Sequence, residues 1–85
     1  ARRRERQRWI FAQSMLVIHL FNHEGLPEAD QENRVEHLHD HLRWHPGFAD
    51  RVVRKAEERN WVIRLNGRLA LTQPGREHAR QAIIR

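Results

Sequence analysis

Residues 46–72 read PGFADRVVRKAEERNWVIRLNGRLALT, and two signals within them set the architecture. The first is a helix. Pro46 is preorganised for a first helical position, and Phe48, Ala49, Val52, Val53 and Ala56 recur at the spacing of one buried stripe. Asn60 can take the left-handed position that ends a helix, second only to Gly. The second signal is a hairpin. Trp61–Leu65 and Arg68–Leu71 flank Asn66-Gly67, the pair best suited to a two-residue turn because both central residues need positive φ. Thr72 then caps a last helix running to about Ile84, with Gln73 and Pro74 in its first turn.

Working outward, a first helix is expected over about 4–23. Trp9, Ile10, Phe11, Met15, Leu16, Val17, Ile18, Leu20 and Phe21 surround more than one of its faces. A helix apolar on most sides is buried centrally or meets a second partner. Gly25 and Pro27 stop it. Another helix is expected over 28–43, where Val35, Leu38 and Leu42 recur and acids lead the N-terminus. A short strand near Leu26 is expected to pair with the hairpin.

An 85-residue chain makes one domain, with a net stability of about 4–13 kcal/mol. The expected division is a basic arm over 1–8 and one folded domain over 9–85. No apolar run is long enough to span a bilayer. With no cysteine there is no disulfide or cysteine–zinc site; a reducing compartment fits. Three Trp and three Phe argue against disorder. The chain begins at Ala1 and its one Met is Met15, which points to a processed chain or, as the preferred expectation, a piece of a longer one.

Charge is unevenly placed within the net +5. Residues 2–8 sum to +4, 24–50 to −5 and 51–85 to +6. A basic arm, an acidic middle and a basic C-terminal half suggest an anionic partner.

The expected order of helices followed by hairpin and helix resembles a winged helix-turn-helix domain. Val52–Val62 resembles the recognition helix and first wing strand of many bacterial repressors, and Leu69-Ala-Leu-Thr-Gln-Pro-Gly-Arg-Glu77 resembles their second strand entering an LT-x-x-G-R-E motif. Asn60 stands where those relatives usually carry Gly. The Arg-rich entry and long apolar first helix also resemble the cytoplasmic extension, similar to iron-dependent repressors, that follows the last membrane helix of some zinc, manganese or iron ABC-transporter permeases.

The resemblance implies two functions. In a winged-helix regulator the recognition helix enters the major groove and the wing touches the backbone. Arg51, Arg54 and Lys55 would then face bases, and Arg64 and Arg68 would reach phosphates. Asp50 and Glu58 oppose this, and an ordinary solvated face with an Arg54–Glu58 ion pair is the competing reading. In a permease tail, Arg2, Arg3, Arg4, Arg6 and Arg8 would form the membrane-proximal basic segment.

Other residues have plainer readings. His37, His41 and His45 lie four apart, as do His19 and His23. Such pairs can hold a metal ion, and His37 and His41 are weak metal candidates, but exposed positions on an amphipathic helix are the expectation. Trp9, Phe11, Phe21, Phe48 and Trp61 are expected in the core, and Trp44 as a seal on the turn before Pro46. Helix one carries more apolar surface than its neighbours need, so Phe11, Met15 and Ile18 are expected to contact a second copy or a parent protein. The alternative is burial beneath the last helix. Ser14 is the sole Ser and lies in an apolar helix with no nucleophile motif, so no enzyme activity is expected.

The sequence thus leads to a mainly α fold with a small β-hairpin and no cofactor or small-molecule substrate. The leading expectation is a non-catalytic regulatory module at the cytoplasmic face of a membrane. Its partners would be a parent membrane protein, a second copy or an anionic membrane surface. A DNA-binding regulator with duplex DNA as partner is the alternative.

Overall fold

The computed structural model describes residues 2–24 and 42–84. Within them the order is α1 (Arg2–His23), α2 (Pro46–Glu58), β1 (Val62–Leu65), β2 (Arg68–Leu71) and α3 (Gln73–Ile84). The fold is mainly α with one small antiparallel hairpin. Most of the expected helix over 28–43, the strand near Leu26, and His37 and His41 lie outside the described residues.

The local signals of 46–72 are realised bond by bond. Pro46 opens α2 after His45, whose backbone is extended (φ −62, ψ 146). At the other end Asn60 sits at φ 61. Its N–H donates to the Glu57 carbonyl at 2.9 Å, and the Trp61 N–H donates to the Ala56 carbonyl at 3.0 Å. This paired pattern is the Schellman ending, and it turns the chain directly into β1. The hairpin bends at Asn66 (φ 52) and Gly67 (φ 77), both positive as a type I′ turn requires. Val62 pairs with Leu71, Arg64 with Leu69, and Leu65 with Arg68.

Thr72 joins the wing to α3. Its N–H donates to the Trp61 carbonyl at 3.0 Å, and its Oγ1 donates to the Asn60 carbonyl at 2.5 Å. The same oxygen accepts the Gly75 N–H at 3.0 Å, which is the N-cap bond to the third helical residue. Gly75 itself is pressed on the Trp61 peptide: a Cβ there would lie 2.7 Å from the Trp61 carbonyl carbon. The Thr and Gly of the LT-x-x-G-R-E segment therefore each have a packing reason.

One core holds these elements together. Leu16, Val17 and Leu20 of α1 meet Val52, Val53 and Ala56 of α2, Val62 and Leu69 of the hairpin, and Ala79 of α3. The expected stripe on α2 is buried at Ala49, Val52, Val53 and Ala56, and Phe48 is half-buried. Gln13 is also buried; its Nε2 donates to the Trp9 carbonyl one turn back at 3.1 Å.

Candidate functional site

Helix α1 is one continuous helix from Arg2, so residues 2–8 form its first two turns. Nothing in Arg-Arg-Arg-Glu-Arg-Gln-Arg breaks a helix; Arg, Glu and Gln are all good formers. The side chains of Arg3, Arg4, Arg6 and Arg8 are exposed. Arg8 lies 5.0 Å from the Phe48 ring centroid, which holds its cation against α2. Among the described residues no helix is long and apolar enough to cross a membrane.

The five residues expected to reach nucleic acid have separate environments. Arg51 and Arg54 are exposed on α2. At about 100° per residue Glu58 falls between them, and it too is exposed. Lys55 turns toward α1, with Nζ 5.1 Å from the Trp9 centroid. Arg64 is tied back to Glu57 by a 3.1 Å ion pair. That pair, rather than Arg54–Glu58, links α2 to its surroundings among the described residues. Arg68 is half-buried opposite Leu65. The outer surface of α2 is thus mixed in charge rather than uniformly basic.

The aromatic side chains are organised around α1 and α2. Trp9 stacks on Phe48 with centroids 4.8 Å apart, and Trp44 meets the edge of Phe48 at 5.5 Å. This three-ring chain sets Trp44 and Trp9 against Phe48 in the first turn of α2. Phe11 departs from expectation as a core residue: it is 56% exposed. The reason is geometric. Helix α1 packs against α2, β2 and α3, and three neighbours cannot cover every side of a helix that is apolar almost all round.

The uncovered side is a ridge. Ile10 and Met15 are 38% and 37% exposed beside Phe11, and Ile18 is half-buried. A groove of about 470 Å³ lies on one side, between Phe11, Met15, Trp44 and Phe48. A second, of about 390 Å³, lies on the other side, between Phe11, Ile18, His78 and Ala82. Phe11, Met15 and Ile18 are therefore brought together as an apolar surface with a cleft on each flank.

Among the described residues the histidines of α1 and α3, and Ser14, sit in local contacts. The His19 and His23 rings lie 4.4 Å apart, and the Nδ1 of His23 donates to the His19 carbonyl at 2.9 Å. Among the described residues no three His, Asp or Glu converge as metal ligands. Ser14 Oγ lies 3.0 Å from His78 Nε2, a pair separated by 64 positions that no local pattern announces. His78 in turn stacks on Trp61 at 3.9 Å. Ser14 is mid-helix, where neighbouring amides already serve carbonyls one turn back, so they cannot form an oxyanion hole. The pair joins α1 to α3 beneath the wing.

One ion pair closes the far end. Arg76 of α3 holds Glu24, just past α1, at 2.5 Å. The hydrogen bond from Arg76 keeps the Glu24 carboxyl below its ordinary pKa of 4.5, against a smaller opposing effect of burial.

In comparison with known proteins, the chain matches no family model, no curated protein and no solved structure.

Proposed function

We propose that this chain is a non-catalytic docking and regulatory module, resembling the cytoplasmic extension of a metal-ion ABC-transporter permease. In this reading Arg2, Arg3, Arg4, Arg6 and Arg8 lie at the inner face of the membrane. The opposite charge of an anionic leaflet attracts them, at about 1 kcal/mol each. Phe11, Met15 and Ile18 pack against the parent protein or a second copy. The ridge carries the proposal: Phe11 is more than half exposed on a helix with clefts to either side. Contiguous apolar surface of this kind is characteristic of interaction sites. A non-catalytic role is supported by the place of Ser14 in mid-helix, where the neighbouring amides are already bonded.

Two measurements test this. The first is the native sequence preceding Ala1. About 20 apolar residues ending at the Arg run support the membrane attachment; an initiator Met within a few residues overturns it. The second is sedimentation equilibrium of the chain, alone and with its parent protein, for wild type and Phe11→Asp. Association that the substitution abolishes supports docking through α1. Absence of any association, or association indifferent to Phe11→Asp, overturns it.

The second reading is a winged-helix DNA-binding regulator. The exposure of Arg51 and Arg54 on α2 favours it, while the engagement of Lys55 with Trp9 and of Arg64 with Glu57 weighs against it. Duplex binding measured by anisotropy at rising salt decides. A log–log slope near −0.9 per phosphate neutralised, reduced by Arg51→Ala and Arg54→Ala, supports this reading; negligible affinity at physiological salt rejects it.

A further inference from the structure

A third groove, of about 330 Å³, lies between the N-terminal half of α1 and the C-terminal end of α2. Arg6, Lys55 and Arg59 bring three positive charges to it and Glu5 one negative charge, with Trp9 and Gln13 also in the lining. Its α1 residues centre about 180° around the helix from Phe11, Met15 and Ile18, at about 100° per residue. The groove therefore opens on the other side of α1 from Phe11, Met15 and Ile18, with Ile10 at the edge between them.

Three observations point to an anion. First, the cations have not been neutralised. Arg64, Arg76 and Arg80 each hold a carboxylate, whereas among the described residues Arg6, Lys55 and Arg59 hold none. Second, two of them are already positioned. Lys55 lies over Trp9 at 5.1 Å and Arg59 over Trp61 at 5.2 Å. A cation–π contact steadies the side chain without consuming its N–H donors, so less freedom is lost when an anion arrives. Third, Gln13 Oε1 is buried without a hydrogen-bond partner. An unsatisfied buried acceptor is costly, and a ligand carrying a donor beside its charge can relieve it.

We propose that this groove binds a phosphate group, with Arg6, Lys55 and Arg59 around the anion beside Trp9. Three cations against one acid leave a surplus of two positive charges, which suits the charge of about −2 on a phosphomonoester better than a single carboxylate. Guanidinium forks also match phosphate oxygens. A hydroxyl beside the phosphomonoester, or the P–OH of inorganic hydrogen phosphate, which keeps a charge of about −2, supplies the donor for Gln13. The phosphate belongs either to a lipid headgroup or to a soluble ligand, and the chemistry of recognition is shared.

The experiment titrates the whole chain with inorganic phosphate at constant ionic strength and follows the three indole N–H signals by NMR. Trp9 and Trp61 should shift saturably, and Trp44 should not. Lys55→Gln and Arg59→Gln should each weaken binding about tenfold, the usual worth of a charge-assisted hydrogen bond. Glu5→Gln, at an exposed position that does not threaten folding, should tighten it. Arg51→Gln and Arg54→Gln remove the same charge elsewhere on α2 and should leave it unchanged. In a second arm, phosphatidylcholine vesicles carry phosphatidic acid or phosphatidylserine at equal surface charge. Preference for phosphatidic acid assigns the site to a lipid phosphomonoester; no preference, with saturable phosphate binding, assigns it to a soluble one. The proposal is overturned if phosphate produces no saturable shift. It is overturned equally if the groove and control variants weaken alike, if Glu5→Gln weakens binding, or if duplex DNA moves the Trp9 and Trp61 signals and phosphate does not.

Discussion

Replacing Gly75 with alanine should destabilise the protein, against the ordinary expectation for a helix. In a helical position Ala is favoured over Gly by up to about 1 kcal/mol. Here the added Cβ would stand 2.7 Å from the Trp61 carbonyl carbon and 3.0 Å from Trp61 Cα, and nearer still to the carbonyl oxygen. These are backbone atoms, so no rotamer change removes the clash. The first turn of α3 must move away from the base of the wing. That movement stretches the 3.0 Å bond from Thr72 N–H to the Trp61 carbonyl and the Thr72 Oγ1 bond to the Asn60 carbonyl. Two weakened hydrogen bonds cost about 1 kcal/mol each, and overpacking adds about 1–3 kcal/mol. Allowing for the propensity gain, Gly75→Ala should lose about 2–4 kcal/mol. That is a large share of a total of about 4–13 kcal/mol. Urea denaturation followed by tryptophan fluorescence reads the loss as a lower midpoint at unchanged slope, and a thermal melt should fall by about 8–20 °C. A variant as stable as wild type, or more so, would refute the reasoning and with it the close contact between α3 and Trp61.

Gly47→Ala makes the opposite case: a Cβ there meets nothing within 4 Å, so stability should rise by up to about 1 kcal/mol, and a loss in the same urea assay contradicts this. Leu16→Ala removes a fully buried side chain of the shared core and should cost about 2–5 kcal/mol; a loss below 1 kcal/mol, on the order of a surface change, would mean the core is not where it is described. The Glu24 carboxyl has its pKa depressed below 4.5 by the hydrogen bond from Arg76. A depressed folded-state value gives stability that is present above the ordinary pKa and lost as pH falls through the folded one. Wild type should therefore melt higher than Glu24→Gln at neutral pH and converge with it in acid; a gap that widens in acid contradicts the ion pair.

Much of the fold is written in signals that act over a few residues. Asn66-Gly67 sets the turn because two adjacent positive φ angles are tolerated there. Asn60 ends α2 for the same steric reason, and Thr72 caps α3 because its hydroxyl reaches an amide three residues on. The stripe through Val52, Val53 and Ala56 needs only helical periodicity to be found. The candidate sites were less legible. Arg51, Arg54 and Lys55 share a sector by spacing, but only contact with Trp9 separates Lys55 from the other two. The meeting of Ser14 with His78, and of Glu24 with Arg76, has no local precursor, since each joins residues more than fifty positions apart.

Among the described residues the sequence alone determined the helix over 46–58, the hairpin and the last helix, and how charge is divided along the chain. These follow from backbone sterics, capping and periodicity, all local. Tertiary structure decided which side of the apolar stretch of α1 from Trp9 to Phe21 stays bare, which cations find carboxylates, and why a side chain at position 75 meets the Trp61 backbone. Each of those depends on what lies across the core, and a helix that is apolar on nearly every side carries no record of how many neighbours will pack against it.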